Sequence, residues 1–301
     1  MKSRKKGCSF IILSFLAAVS LAGETDIKFM QGRKVGTIRS DLIQEASGIA
    51  ASRKNTSVLW VHNDSGNSPT IYAINPTGKL LAAFILKNAQ CRDWEDIAIG
   101  PGPEENHDYL YIGDIGDNNA NYSAIKVYRV PEPVVDSNDA GEKIQTGAAE
   151  AIELIYPDGP KDAETLLVDP VLRDIYIITK RSIFSKVYRA PYPQSIEKPT
   201  KMTLVTILPW GLATGGDVSR DGRLVIVRGL TSASIWVRTE WQLPLWKAFT
   251  GECTNIEIMP EPQGEAICFD ANMQGFFTLS EKPHQPIYYF QKTDSIEISN
   301  K

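Results

Sequence analysis

The chain has 301 residues and a formal net charge of −4, with 32 Lys and Arg against 36 Asp and Glu. This acidic balance excludes the basic surface of a nucleic-acid-binding protein, so no nucleic acid is expected as a partner. The length is sufficient for one large domain with a substantial core.

The N-terminal residues have the pattern of a signal peptide. Residues 2–6 are mostly basic, and residues 9–21 form an almost unbroken apolar run. Small residues around Ala22 predict cleavage there, which makes 1–22 a signal peptide and 23–301 a single exported domain, periplasmic or secreted. The apolar run is shorter than the roughly 20 residues of a spanning helix, so no membrane span is expected after processing.

Three cysteines lie beyond the predicted cleavage site, namely Cys91, Cys253 and Cys268. Their spacing matches no zinc-binding pattern. An odd number in a chain of this size predicts at most one disulfide.

An internal repeat organises the rest of the chain. Short segments of similar composition have their central residues 48, 69, 53 and 48 residues apart, at Ser47, Glu95, Glu164, Asp217 and Glu265. The longest interval contains residues 131–147, which are rich in turn-forming types and are predicted to be a surface insertion.

Strand patterns follow each repeated segment. An apolar run such as 59–62 comes first, then an aromatic-centred run such as 71–73, then in four units a further strand such as 80–86. Four strands per unit of about 50 residues predict an all-β, five-bladed β-propeller with four-stranded antiparallel blades. We expect the strand at 35–39 to complete the last blade; a sixth blade within 131–160 is the alternative.

The innermost strand of each blade lines the central channel of a propeller, with side chains alternating between faces. The repeat therefore predicts two tiers of polar side chains at one channel mouth. One tier comprises Glu95, Glu164, Asp217 and Glu265 with Ser47, and the other comprises Glu45, Asp93 and Asp162 with Gln263.

Carboxylates that converge in a narrow channel repel one another, by about 1 kcal/mol or more per pair at roughly 6 Å. A bound Ca²⁺ relieves this repulsion best, because it accepts several hard oxygen ligands in loose geometry. We therefore predict that the seven acidic residues of the two tiers are metal ligands. Lys180 and Arg228 are alternative neutralising partners. A structural alternative is that the carboxylates accept hydrogen bonds from strand amides and hold adjacent blades together.

Two loops rich in oxygen ligands, 62–67 and 113–119, are expected at the same mouth. They provide candidate proton acceptors in His62, Asp64 and Asp114, although a structural histidine and turn-forming aspartates fit the same positions. The candidates for binding substrate are Lys180, Arg228, Asn63 and Asn118.

Several motifs resemble a known group of proteins. They include 45–50 (EASGIA), 60–66 (WVHNDSG), 93–98 (DWEDIA), 111–118 (YIGDIGDN) and 263–267 (QGEAI). They are similar to a widespread, largely uncharacterised family of exported bacterial β-propeller proteins, which implies the propeller fold. More distantly, the acidic inner strands resemble those of calcium-dependent propeller phosphatases such as β-propeller phytases and calcium-activated apyrases. That resemblance concerns architecture and ring chemistry only.

These patterns favour a metal-assisted hydrolase that acts on a phosphoester or a lactone or other ester. The alternative is a non-enzymatic, calcium-stabilised module that binds an envelope or extracellular ligand. A glycosidase is a third reading of the same carboxylates and requires two acids about 5 to 10 Å apart. The expected partner is a small anionic molecule, a glycan or an envelope component.

Overall fold

The computed structural model describes residues 27–136, 139 and 142–293. Over these ranges the chain forms 23 β-strands in five sheets, arranged as a five-bladed propeller. The predicted signal peptide, 1–22, lies outside the described residues. No helix in the described ranges is long and apolar enough to cross a membrane.

Each blade begins at the centre of the molecule and runs outwards through consecutive antiparallel strands. The inner strands are β3 (Ala46–Ala51), β7 (Trp94–Pro101), β12 (Ala163–Val168), β17 (Gly215–Val218) and β21 (Gly264–Phe269). The second strands are β4 (Leu59–Asn63), β8 (Asp108–Asp114), β13 (Ile175–Thr179), β18 (Leu224–Arg228) and β22 (Gly275–Ser280). The third strands are β5 (Thr70–Ile74), β9 (Ile125–Pro131), β14 (Lys186–Ala190), β19 (Ser232–Val237) and β23 (Pro286–Thr293). The outer strands of blades one to four are β6 (Leu80–Lys87), β11 (Glu150–Ile155), β16 (Thr203–Ile207) and β20 (Cys253–Glu257).

The inner strands are apolar along most of their length because each blade packs against a neighbour on both faces. Every residue of β3, β12 and β21 is buried. Each inner strand contacts the next around the ring, and β21 contacts β3, so the ring closes. Trp60 and Trp94 are fully buried in the apolar layer between blades one and two.

The N-terminal residues complete blade five, as the sequence predicts. Strand β2 (Arg33–Thr37) pairs antiparallel with β23, two residues earlier than expected, and β1 (Lys28–Phe29) pairs with the far end of β23. A strand from the start of the chain thus covers the edge of the last blade.

Part of the predicted surface insertion belongs to a sheet. Strand β10 (Lys143–Ala148) pairs parallel with β6 and adds a fifth strand to blade one. A short strand, β15 (Thr200–Lys201), extends blade two in the same parallel manner. The region 131–160 therefore supplements blades one and two, and the six-bladed alternative is wrong for the described chain. The three cysteines remain free.

The turn between β5 and β6 holds the closing strand in place. Gly78 has φ +84°, and a Cβ there would lie 1.9 Å from the Thr37 carbonyl oxygen. The Arg39 N–H donates to the Gly78 carbonyl at 3.0 Å, so the contact is between two backbones and cannot relax by side-chain rotation.

We expect Gly78→Ala to lower the free energy of unfolding by about 3 kcal/mol or more, because it combines left-handed strain with overpacking. Gly159→Ala is the matched control: its φ is +86°, and an added methyl group there would have no atom within 4 Å. It should cost only about 1 kcal/mol. Urea unfolding of both variants measures the difference, and equal losses would contradict the role of this turn in closure.

Candidate metal centre

Four inner strands carry a β-bulge near their first residue. In blades one, two, three and five the pairing register shifts across one residue, which therefore lacks a partner on the second strand. These residues are Ser47, Glu95, Glu164 and Glu265, and all four are buried. Bulges redirect side chains, and here they direct these groups toward one another. The Ser47 hydroxyl donates to the Glu95 carbonyl at 2.7 Å and lies 3.4 Å from Glu265 Oε2.

Blade four lacks the bulge, and Asp217 pairs in unbroken register with Ile226. Its carboxylate accepts hydrogen bonds from the next residue's N–H at 2.7 Å and from the Phe269 N–H of blade five at 2.9 Å. In the same way, the Asp96 carboxylate of blade two accepts a hydrogen bond from the Leu166 N–H of blade three at 2.9 Å. Asp217 thus joins two blades and does not lie with the three glutamates, which corrects the expectation from the repeat.

Lys180 neutralises one side of the mouth. It follows β13, and its Nζ forms ion pairs with Glu164 Oε1 and, at 3.7 Å, with Glu265 Oε1. Gln263 Nε2 donates to the same Glu265 oxygen at 3.1 Å. Burial raises the pKa of Glu164 to about 8, against the opposing effect of Lys180. This side is a carboxylate–ammonium cluster.

Asp64, Asp93 and Glu95 form the other side, which we call the acidic triad. One carboxylate oxygen from each lies within 4.8 Å of the other two. Glu95 is only 5% exposed. Within the described ranges, the side chains of Asp93 and Glu95 have no hydrogen-bond or ion-pair partner at bonding distance. Because a buried carboxylate without a partner is costly, the triad is where a cation would be stabilised.

The pKa values of the triad are raised by burial and by repulsion between neighbouring carboxylates. Burial, followed by repulsion from Glu164 and Asp64, raises the pKa of Glu95 well above its ordinary value. Burial also raises the pKa of Asp64 to about 6, with Asp93 contributing. The pKa of Asp93 is raised by burial and then by Asp162. A cation would oppose all three shifts by stabilising the ionised forms.

The loop after β8 supports the triad from one side. A Cβ on Gly116 would lie 2.2 Å from Glu95 Oε1 and 2.5 Å from Asp93 Oδ2, so the carboxylates rest against bare backbone. Asp114, a predicted proton acceptor, is 2% exposed, and its Oδ1 accepts the Asp93 N–H at 2.8 Å. Asp114 therefore positions a triad residue and is not itself exposed in the mouth.

His62 and Asn63 are also buried. Burial lowers the pKa of His62 to about 4, its Nδ1 lies 2.9 Å from the Asn63 carbonyl, and its ring packs edge-on against Trp94. The Asn63 amide binds the backbone of the segment 42–45. Both side chains are buried, whereas the sequence predicts a proton acceptor and a substrate-binding residue at the mouth.

Three predicted residues lie around the triad rather than in it. Asp162 accepts the Asp117 N–H at 2.9 Å and pairs with Arg181 Nε at 2.7 Å. Asn118 is exposed and accepts a hydrogen bond from the same arginine. Glu45 is exposed at the rim.

Arg228, a predicted substrate-binding residue, is fully buried. Its Nη2 lies 2.8 Å from Glu261 Oε2, whose side chain is also fully buried, and its Nη1 donates to the Ala266 carbonyl at 3.0 Å. The guanidinium lies beneath Gly264, where a Cβ would lie 1.8 Å from Nη2. Arg228 therefore links blades four and five and is unavailable to a ligand at the mouth.

Glu281 is a mouth residue that the repeat does not indicate as a site candidate. It follows β22 and is half-buried. Burial, with repulsion from Glu265 and Asp64, raises its pKa to about 7. The only sequence signal is its position after a second strand, which Lys180 shares.

Exposed apolar side chains flank the mouth on blades three and four. We call Ile183, Phe184, Leu212 and Leu230 the apolar rim; Ile183 is 85% exposed. The Leu212 N–H donates to the Lys180 carbonyl at 3.1 Å, so the rim adjoins the cluster around Lys180.

Comparisons with known proteins place few constraints on this site. No protein-family model matches the chain, and no curated protein matches it significantly. Among solved structures it is similar to a gluconolactonase from Xanthomonas campestris, described as important in glucose secondary metabolic pathways. The TM-score is 0.46 at 13% identity, over 89% of this chain and 90% of that one. The propeller assignment rests on the strand pairing within this chain.

Proposed function

We propose that this protein is an exported hydrolase that holds a divalent cation, Ca²⁺, in the acidic triad and acts on a phosphoester or a lactone or other ester. The observation that supports it is the unequal charge of the mouth. Lys180 neutralises Glu164 and Glu265, whereas no cation is paired with Asp64, Asp93 and Glu95 in the described chain.

The donor set fits a hard cation. The triad offers carboxylate oxygens alone, without histidine nitrogen or thiolate, which favours Ca²⁺ or Mg²⁺ over Zn²⁺. Its residues come from two loops and one bulge, and such irregular backbone suits the loose geometry of Ca²⁺ better than the strict octahedron of Mg²⁺. Export would expose this site to extracellular calcium, where modules with dissociation constants of about 10⁻⁴ to 10⁻³ M are common.

In the proposed reaction, the cation, Lys180 and Glu281 have different roles. When bound, the cation would supply Lewis-acid polarisation of a phosphoryl or carbonyl oxygen. Lys180 would bind an anionic substrate oxygen, and the Glu281 carboxylate would accept a proton from water. Its pKa of about 7 is suited to that role near neutral pH.

A second candidate function is supported by the apolar rim. A calcium-stabilised module that binds an envelope or extracellular ligand without catalysis would use the same triad, with Ile183 and Phe184 contacting the apolar part of the ligand. Exposed apolar side chains grouped beside a polar site are typical of binding surfaces.

Activity assays with a panel of hydrolase substrates distinguish these two candidate functions. We expect the wild-type protein to hydrolyse at least one of the phosphoester, ester and lactone classes in Ca²⁺ and none in EDTA. Lys180→Met should lower kcat/KM by about 100-fold, a loss of the size seen when a single charge-stabilising donor is removed. Lys198→Gln, which alters an exposed lysine on the connection between β14 and β15, is the control and should retain activity. If Ca²⁺ binds but no substrate of the panel is hydrolysed, the binding module would replace the hydrolase as the proposed function.

A further inference from the structure

A cavity of about 460 Å³ lies at the end of the propeller opposite the acidic triad. Strand β3 runs from Ala46, beside the mouth, to Ala51, and the cavity is lined by Ala51 and the loop that follows it. Turns after β17 and β21 supply further lining residues, among them Arg220 and Asp270. This site shares no residue with the metal centre.

Four basic side chains line the cavity, namely Arg33, Arg53, Lys54 and Arg220. Arg53 has a 7% exposed side chain, and its Nη1 pairs with Asp108 at 2.8 Å, so one guanidinium is fixed in the wall. Lys54 Nζ is 3.4 Å from the main-chain carbonyl oxygen of Glu132. In the described part of the chain, Arg33 and Arg220 have no carboxylate within ion-pair distance.

The acidic group in this wall is already engaged. The Asp270 carboxylate accepts hydrogen bonds from the Tyr289 hydroxyl and from the N–H groups of Asn272 and Gln274, the latter two at 2.8 and 3.0 Å. Arg33 lies over the Tyr289 ring, 5.6 Å from its centroid, and both residues line the cavity. The cavity therefore has a surplus of positive charge that its own carboxylate does not neutralise.

Aromatic side chains form the adjoining wall. Phe277 and Tyr289 contact each other with ring centroids 4.8 Å apart, and both line the cavity. Arginines bind phosphate through paired N–H donors, and an aromatic surface beside them can hold the organic part of a ligand.

We propose that this cavity is a second ligand site, which binds a small phosphorylated molecule. Arg33, Arg220 and Lys54 bind the phosphate, while the aromatic wall contacts the organic part. The site stands independently of the proposed hydrolase, because its residues are separate from the triad and from Lys180.

Calorimetric titration with inorganic phosphate, in EDTA and low salt, tests the proposal without involving the cation. We expect one phosphate per chain and a loss of at least about tenfold in affinity for both Arg220→Gln and Arg33→Gln, since each substitution removes a charge-assisted hydrogen bond to the anion. Both side chains are exposed, and melting temperatures verify folding. Lys34→Gln is the matched control: Lys34 is exposed beside Arg33 but does not line the cavity, and this variant should bind like the wild type.

Three results would overturn the assignment. They are the absence of saturable phosphate binding, an equal loss of affinity in Lys34→Gln, and tighter binding of succinate than of phosphate. Equal losses would show a general charge effect, and a preference for succinate would show a carboxylate site.

Discussion

Replacing Glu95 by Gln is expected to abolish calcium-dependent turnover and to weaken Ca²⁺ binding by at least about 100-fold. Even indirect supporting groups cost 10- to 100-fold in metal affinity when removed, and Glu95 would be a direct ligand. The substitution keeps the shape of a side chain that is 5% exposed while removing its charge. Calcium titration by calorimetry and the kinetics of whichever substrate class proves active provide the two measurements.

Glu45→Gln is the control for this prediction. Glu45 is an exposed carboxylate of the same mouth and lies outside the triad. Its removal should change the affinity by less than about threefold, because exposed charges interact weakly through solvent. Unchanged calcium binding in Glu95→Gln, or an equal loss in Glu45→Gln, would show that the triad is not the cation site.

The second large effect concerns stability and pH. Burial raises the pKa of Asp217 to about 7 and that of Glu164 to about 8. Above their unfolded pKa values and up to these folded values, the folded chain binds more protons than the unfolded chain, so stability falls as pH rises. His62 has the opposite sign, because its pKa is lowered to about 4, but above its ordinary value of 6.5 it is neutral in both states.

Between pH 6.5 and 8.5 the cation-free protein should therefore lose about 3 kcal/mol, which corresponds to about 5 °C in Tm. Saturating Ca²⁺ at pH 8.5 should raise Tm again by mass action, by a similar amount at about 100 times Kd. Calorimetric melting in EDTA and in Ca²⁺ measures both effects.

Glu164→Gln isolates the titrating group. This variant should show a flatter decline of Tm with pH in EDTA, because it removes a buried carboxyl group whose pKa of about 8 lies within the range of the titration. Glu45→Gln should keep the wild-type slope. A Tm that is constant or rises from pH 6.5 to 8.5 in EDTA would contradict the assignment of buried, destabilising carboxylates.

The propeller could be predicted because blade strands leave strong local signals. A repeat of apolar and aromatic runs located all five blades and the closing strand, since inner and second strands are buried on both faces. The additional strands β10 and β15 could not be predicted in this way. Their pairing depends on neighbouring edges distant in sequence, and β10 is mostly exposed.

The site was predicted only in part, for a geometric reason. If side chains alternated strictly along every inner strand, Asp217 would lie beside Glu95. In the structure Glu95 lies at a bulge and Asp217 does not. A bulge changes the direction of a side chain without a distinct change in composition. The burial of His62 and Arg228 could not be predicted either: both lie near strand ends in the sequence, yet packing between blades buries them completely.

The central claim is that Asp64, Asp93 and Glu95 hold one divalent cation, and an anomalous difference map of crystals grown with Ca²⁺ tests it most directly. We predict a peak with oxygens of all three carboxylates at about 2.3–2.6 Å, the range for Ca²⁺ ligands. A peak elsewhere in the mouth, or a triad that remains without density at saturating Ca²⁺, would contradict it.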